Sequence, residues 1–524
     1  MYDDMQVIRL QQMDKCVKDG QIPCRWVPDL GYGYGYPLYL YYAPLPYYSM
    51  EVVHLLGVSF IDSIKAGFIA SILLSGYFFF FFLKKFLNSI ASLFGALLYI
   101  YTPFRASDLY VRGAMGELWG FFALPFVLWG FENLLDKKNK KAVGFFAISL
   151  AVYLTTHNLT VVMTLPLVLL WVLFRLFSKK LEFQLIKKVI ISSLVGVGAS
   201  SFFWLPLFFE RNLVYLETLT QGYFNYLAHF IDLKQIFILT KWGYGPSVLG
   251  PSDNVFLGVG PIATIGAVLG IVAGLKVKAV KIKIISIIFA SFFVLAAFLS
   301  HGKSSIVWSN LKFLEFLQFP WRFMLVCSFA ASVLGAIFVS SLKRKLAWLM
   351  VFVFLIANFA VYNNFYKPKD WFKLNDNQKL SGELLERQQT ASIYDYLPKS
   401  ASKAPGSKAP DSLTIQSGDI RVLNYTRGTD WFKSEVQVGK SGANIVFPAF
   451  DFDFWKVYIN DQLVEHQKVG ELGLVGVKLS SGTSKLNVQL HKTLPRKLGD
   501  TLSLVSFLAI FYFLFYETIY KKAK

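Results

Sequence analysis

Long apolar runs separated by short charged connections dominate the chain after its first sixty residues. Runs of spanning length, or nearly so, cover 62–83, 86–103, 116–135, 142–156, 159–177, 189–209, 255–274, 284–300, 321–342, 346–363 and 498–519. A hydrocarbon core about 30 Å thick takes about 20 helical residues to cross, so the pattern predicts a polytopic α-helical membrane protein with about eleven spans. Several runs are short, as suits helices shielded inside a bundle rather than ringed by lipid.

The polar connections alternate in charge. Lys84-Lys85, Lys137-Lys138-Asn139-Lys140-Lys141, Lys179-Lys180 with Lys187-Lys188, the stretch from Lys276 to Lys283, Lys343-Arg344-Lys345 and Lys521-Lys522 occupy every second connection and the C-terminus. Basic residues stay on the cytoplasmic side. The other connections, 1–61, 104–115, 156–158, 210–254, 301–320 and 364–497, are then extracytoplasmic. Residues 1–61 lie outside with no preceding helix to carry them across, so the expectation is an upstream helix and twelve spans in the full-length product.

One stretch changes period. After a Pro, Ser, Lys and Ala linker from Lys399 to Asp411, short alternating runs recur at Ser412–Gln416, Ile420–Tyr425, Ser434–Val438, Asn444–Phe447, Trp455–Ile459, Val475–Leu479 and Lys485–Leu490. Asn460-Asp461, Ser481-Gly482 and Lys440-Ser441-Gly442 punctuate them as hairpin turns. Strands at this spacing predict an extracytoplasmic β-sandwich. The expected division is a loop region 1–61, a helical bundle 62–363, the β domain 364–497, and a last helix with a cytoplasmic tail, 498–524.

Composition agrees with the pattern. The 524 residues are 55% hydrophobic and 16% charged, against about 25% charged in soluble domains. The net charge of +20 resides mostly in the loop clusters that face anionic lipid, and no nucleic-acid-binding motif accompanies it. Cys16 and Cys24 are near enough to bridge in an oxidising compartment, while Cys327 sits in an apolar run. No CxxC or HExxH spacing points to zinc, and no phosphate loop or Ser-His-Asp order to ATP-driven transport or proteolysis.

Candidate chemistry gathers at the outer ends of the helices, where ionisable residues are costly and hence paired or functional. Asp3 and Asp4 open the chain; they either cap a helix from about Met5 to Lys18 or supply a general base for a sugar hydroxyl. Carboxylates from two loops are also suited to a divalent metal ion. Arg105, Asp108 and Arg112 fall at helical spacing on one face. They form either a clamp for a lipid phosphate or an internal salt-bridge stripe, and Glu117 follows. His157 is a turn or site residue, and Arg322 a phosphate ligand or an interface anchor. Tyr34 and Tyr36, in the run Gly31–Tyr48, are suited to stacking on sugars or prenyl chains, or to the headgroup belt.

Taken together, Tyr2-Asp-Asp-Met-Gln6, Gly33-Tyr-Gly-Tyr-Pro37, Arg105-Ala-Ser-Asp-Leu-Tyr-Val-Arg-Gly-Ala114 with Glu117, Thr156-His-Asn158 and Gln318-Phe-Pro-Trp-Arg322 resemble a bacterial membrane family. It is labelled 6-pyruvoyl-tetrahydropterin synthase-related and is close to the YfhO-like proteins. The resemblance implies a GT-C-like bundle, as in glycosyltransferases that use polyprenyl-phosphate sugars. It carries the catalytic carboxylate of the first outer loop to Asp3 or Asp4, with Asp108 and Glu117 matching the acidic second loop. Two departures stand out: no helix precedes Asp3, and Tyr2 occupies a place where the family often has His.

The expected activity is an inverting transfer in the bacterial plasma membrane, with the site on the extracytoplasmic side. A polyprenyl-phosphate-linked donor would be held by Arg105, Arg112 or Arg322, and the acceptor would be an envelope glycan, a lipid or a protein. The rivals are a non-catalytic envelope scaffold that binds glycan, and a lipid or sugar-lipid transporter. A transporter needs polar residues at the membrane midplane, whereas here they cluster at the outer ends. Single cysteines placed at 399–411 should react with an impermeant thiol reagent only from outside, and cysteines at 137–141 only from the cytoplasm. Labelling of 399–411 from the cytoplasm alone would overturn the topology.

Overall fold

The computed structural model describes residues 3–136, 139–248, 253–368 and 370–522, with side chains to 516. Tyr2, Lys137 and Lys138 fall outside it, as do the side chains of Lys521 and Lys522. The chain is mostly helical, with a β-sheet region near its C-terminus. In order, the main helices are α1 (Gln6–Lys18), α2 (Leu45–Leu55), α3 (Phe60–Leu83), α4 (Ser89–Ile100), α5 (Met115–Asp136), α6 (Lys140–Thr156), α7 (Asn158–Ser178), α8 (Phe183–Ala199) and α9 (Ser201–Glu210). They continue with α10 (Gly260–Lys276), α11 (Val280–Ser300), α12 (Met324–Ser340), α13 (Arg344–Tyr362), α14 (Gly382–Thr390) and α15 (Leu494–Lys522).

Helix starts follow their capping residues. The Ser59, Asn88 and Asn139 side chains accept from the backbone N–H of Asp62, Ala91 and Ala142, opening α3, α4 and α6. α1 has no such cap: Met5 precedes it without a side-chain bond, so the Asp3-Asp4 pair does not cap this helix. The first turn of α3 is also held by the Asp376 carboxylate, which accepts from Phe60 and Ile61 N–H at 2.7 and 3.0 Å.

Each apolar run is helical, and among the described residues seven helices are long and apolar enough to cross a membrane. Three expected spans are shorter. α4 has 12 residues, about 18 Å at 1.5 Å per residue, and α6 and α10 have 17 each. The run at 189–209 is not one straight helix, because α8 and α9 meet at a 68° bend.

Two helices form the axis. The apolar windows of α5 and of the segment Pro320–Ser340 that contains α12 are each 89% buried, against 22–50% in the other spans. α12 carries Ser328, Ala330, Ala331, Ser332, Gly335 and Ala336, small residues that let neighbouring backbones approach. The fit is tight: a Cβ on Gly270 of α10 would lie 2.0 Å from the Leu334 carbonyl oxygen. At the far end of α5, Glu132 receives Arg175 Nε and Nη2 at 2.7 and 2.8 Å and Trp171 Nε1 at 2.9 Å. These three donors and both Glu132 oxygens are buried and paired, as buried charge requires.

The β region is one hydrogen-bonded antiparallel sheet rather than two separate ones. Its strands are β1 (Thr414–Arg427), β2 (Trp431–Phe450), β3 (Trp455–Ile459), β4 (Gln462–Val464), β5 (Gln467–Val469), β6 (Leu474–Leu479) and β7 (Gly482–Leu490). Four expected short strands fuse into the long β1 and β2, and the small β4 and β5 were not foreseen. β2 pairs with β7 along its first half and with β6 along its second. The inward side chains of both halves, among them Val436, Ile445, Val477 and Val488, share one core. The expected linker 399–411 packs down on this region: Ala401 and Ala409 are buried, and Ala409 N donates to the Tyr32 carbonyl at 2.9 Å.

The opening residues form a folded bridge rather than a loose loop. Cys16 and Cys24 are joined as a disulfide. Asp19 accepts from Thr429 N and Oγ1 of the sheet region, each at 2.7 Å. Arg25 pairs with Asp500 of α15. Tyr34 is spent on the sheet, its ring 5.6 Å from that of Phe450. The sheet is also tied to the bundle where Arg496 Nε and Nη2 donate to Glu210 at 2.9 and 2.7 Å.

Candidate functional site

A cavity of about 720 Å³ opens at one end of the bundle. Its lining draws on all six connections that charge alternation assigns to the outside: Asp3, Arg9 and Tyr36; Arg112; His157; Arg211; Gln318; and Ser392 to Tyr396. No lining residue comes from the lysine-rich connections. The alternation therefore sorts the connections into two sets, and one set meets in a single chamber.

The floor is an ion network. After the short helical turn Pro103–Ala106 the backbone widens into a π-helical turn, Ser107–Arg112, a local device frequent at functional sites. Gly113, at φ 68°, ends it, and Ala114 N donates back to the Asp108 carbonyl at 2.9 Å. Arg112 Nη1 bonds both the Asp108 carboxylate and Glu117 Oε2, the latter at 2.9 Å. Its guanidinium lies 4.4 Å from the centre of the Trp321 ring, so charge and ring face hold it together. Arg322 Nε sits 3.5 Å from the same Glu117 oxygen. Arg322 Nη1 donates to the Leu317 carbonyl at 2.6 Å and to Gln318 Oε1 at 3.0 Å. Burial and then Glu117 push the Asp108 carboxyl well above its ordinary range, against the pull of Arg112. Burial also opposes the Arg112 charge, but Glu117 and Asp108 outweigh it and keep the guanidinium protonated.

The expected residues divide clearly. Asp3 faces the cavity, its Oδ2 accepting from Arg9 Nη1 at 2.8 Å and Gln6 Nε2 at 2.9 Å. Its backbone N–H donates to the Arg112 carbonyl at 2.9 Å, which ties the opening residues to the floor. Asp4 points elsewhere and pairs with Lys379, its side chain 65% exposed. Arg112, Glu117, His157, Arg322 and Tyr36 line the cavity. His157 is oriented by a 2.8 Å bond between Nδ1 and Thr160 Oγ1. Gly116 leaves it room, because a Cβ there would come within 2.9 Å of His157 Cδ2.

Besides Asp4, three expected residues lie outside the lining. Asp108 is fully buried beneath it. Tyr34 packs on the sheet. Arg105 does not share a face with Asp108 and Arg112, because the wider π turn breaks the i, i+3 relation. Its guanidinium instead points into the bundle, over the rings of Tyr99 and Phe121 at 4.8 and 4.2 Å, with Nη1 donating to Ser75 Oγ. Burial there lowers its pKa to about 10. Among the described residues, no group of three or more His, Cys, Asp or Glu side chains is arranged to hold a metal ion.

Sequence reasoning missed the strap Ala391–Tyr396, which forms a wall of the cavity. Tyr36 holds it from both sides, donating from Oη to the Ser392 carbonyl and accepting from Tyr396 N, each at 2.7 Å. The one visible signal was the Tyr394-Asp395-Tyr396 alternation between a helix and the linker. The rest of the lining is apolar and includes Leu159, Val162, Leu207, Phe208, Phe224 and Phe316.

An uncharacterized protein of Lactococcus lactis subsp. cremoris (strain MG1363) is 28% identical over 227 residues, which is 41% of this chain and 35% of that relative. The match thus spans about a third of the relative's length. No family model matches the chain, and no solved structure does.

The network makes a prediction about stability. Glu117→Gln leaves two buried guanidinium groups short of a carboxylate and should cost about 3–5 kcal/mol. Asp108→Asn should cost less than half of that, since burial already favours the neutral form of this side chain. Thermal unfolding in detergent measures both, and equal losses would contradict the shared role of Glu117.

Proposed function

We propose that this protein is a membrane glycosyltransferase of GT-C type, related to the YfhO-like family, that moves a sugar from a polyprenyl-phosphate donor to an acceptor hydroxyl. The observation that carries the reading is the mixed chemistry of the cavity. Arg112 and Arg322 share its lining with Leu159, Val162, Leu207, Phe208, Phe224 and Phe316. A ligand that suits both has an anionic head and a hydrocarbon tail. The arginine forks are suited to a phosphate, and the apolar wall to isoprene units.

In this reading the donor phosphate rests against Arg112 and Arg322, with Glu117 and Trp321 fixing the two forks. Asp3 takes the proton from the acceptor hydroxyl. The acceptor oxygen then forms its bond to the anomeric carbon from the face opposite the phosphate. The carbon–oxygen bond to phosphate breaks, and the electron pair leaves on the polyprenyl phosphate. One displacement inverts the anomeric centre. Fixed orientation and preset positive charge on the leaving group supply much of the rate. Asp108 acts from beneath, as an orienter of Arg112.

The finer architecture belongs to the same proposal: eleven spans, with the cavity on the extracytoplasmic face of a bacterial plasma membrane. The Cys16–Cys24 disulfide supports that side, because disulfides persist in oxidising compartments.

Asp3→Asn should lower transfer from polyprenyl-phosphate sugar roughly 10²–10⁴-fold in membranes, the worth of a general base, with folding intact. Asp4→Asn should stay close to wild type, since Asp4 faces Lys379 and not the cavity. Arg322→Lys should weaken donor binding, because a point charge does not reproduce a planar fork. Full activity in Asp3→Asn would remove it as the base. A wild-type protein inert toward every lipid-linked donor would favour a glycan-binding scaffold instead.

A further inference from the structure

The strap contributes two side chains to the cavity that the glycosyltransferase reading has not used. Asp395 and Tyr396 both line the cavity. The Tyr396 ring is backed by that of Tyr41, stacked at 5.3 Å and 27°, and meets Tyr36 at 5.9 Å. Tyr41 is itself locked, donating from Oη to the Glu210 carbonyl at 2.7 Å. Tyr396 is therefore a braced aromatic surface at the edge of a chamber rather than a mobile loop side chain. The strap backbone is pinned by Tyr36, and Thr218 Oγ1 donates to the Tyr394 carbonyl at 2.8 Å.

We propose that Asp395 and Tyr396 form a subsite for one sugar ring on the strap side of the cavity. A pyranose offers an apolar C–H face and a rim of hydroxyl donors. An aromatic ring matches the first, and a carboxylate matches the second through charge-assisted hydrogen bonds. A second carboxylate, Asp3, lies within electrostatic reach of Asp395 and disfavours phosphate beside it, while Arg9 offsets the pair.

Burial pushes the Asp395 carboxyl up to about 6, with the Ser392 hydroxyl and Arg9 pulling it down and Asp3 raising it. Sugar hydroxyls would add donors to the one it receives from the Ser392 hydroxyl. A neutral sugar binds the ionised form, so its affinity is fully present above this pKa and falls as pH drops through about 6.

The origin of the ring rests on the glycosyltransferase reading: it is the sugar of the lipid donor or of the acceptor. The chemistry of the subsite does not depend on that choice. Methyl glycosides of glucose, galactose, mannose and N-acetylglucosamine serve as probes, read by saturation-transfer NMR on the full chain in detergent. At least one should bind the wild-type protein near neutral pH and weaken below about pH 6. Asp395→Asn and Tyr396→Leu should each weaken it roughly tenfold, the worth of one hydrogen bond to a charged group or a ring contact. Thermal unfolding and retained binding of undecaprenyl phosphate report that each variant is folded, and either variant suffices if the other is not.

Competition separates the two sources. Displacement of the glycoside by an undecaprenyl-phosphate hexose, but not by undecaprenyl phosphate, assigns the subsite to the donor sugar. Persistence of the glycoside signal assigns it to the acceptor. No glycoside signal with the wild-type protein, or an unchanged signal in both variants, overturns the proposal. Glycoside binding without any transfer activity would sink the glycosyltransferase reading and leave the subsite standing.

Discussion

The sharing of Arg112 between Asp108 and Glu117 is the interaction on which the cavity depends. A guanidinium removed from water is costly unless its charge and its donors are matched. Here two carboxylates and the Trp321 ring match it. Satisfying that constraint fixes three elements at once: the π turn Ser107–Arg112, the first turn of α5 and the segment that leads into α12. Asp3 then docks on the result, through its backbone bond to the Arg112 carbonyl. Asp3 and Arg322 both rest on this buried charge balance, through the Arg112 carbonyl and the Glu117 carboxylate.

A second constraint holds the rest of the chamber over that floor. The opening residues, the bundle and the sheet region meet around it, and each joint is polar. Glu210 with Arg496 ties α9 to the start of α15. Asp19 with Thr429 ties the opening residues to the sheet. Tyr36 ties them to the strap. The cavity is therefore built between parts, which explains why its carboxylates come from distant places in the chain. The other large buried ion pair, Glu132 with Arg175, lies fifteen residues along α5 from Glu117, about 22 Å away at 1.5 Å per residue. Its oxygens and donors are consumed by each other and by Trp171, so it reads as a structural staple and not as part of a polar path across the membrane.

The helices were legible because apolar runs of that length have few other physical outcomes. The grouping of the outer connections was legible too, because lysine placement is a side-specific signal. Local geometry was less so. The 68° bend after Ala199 has no proline at the break itself, and the π turn has no periodicity to betray it. Arg105 shows the consequence: helical spacing put it with Asp108, while the widened turn sent it to Tyr99 and Phe121. Asp3 and Asp4 were inseparable in sequence; Arg9 and Gln6 hold Asp3 at the cavity, while Lys379 takes Asp4. Fusion of short strands into β2 was hidden by Gly442, which looks like a hairpin turn but falls within one strand, at the register shift between the Ile420–Val438 and Gly418–Ala443 pairs. Asp395 could not be found at all from spacing, since what places it is the fold of Tyr36 some 360 residues earlier in the chain.

The central claim is that the cavity holds a lipid phosphate against Arg112 and Arg322. The most direct measurement is an experimental structure of the full chain with undecaprenyl phosphate. The account predicts phosphate density within hydrogen-bond distance of both guanidinium groups, with the first isoprene units along Leu159, Val162 and Phe208. Density for the lipid only on the outer surface of the bundle, with Arg112 and Arg322 unchanged and the cavity free of phosphate, would contradict it.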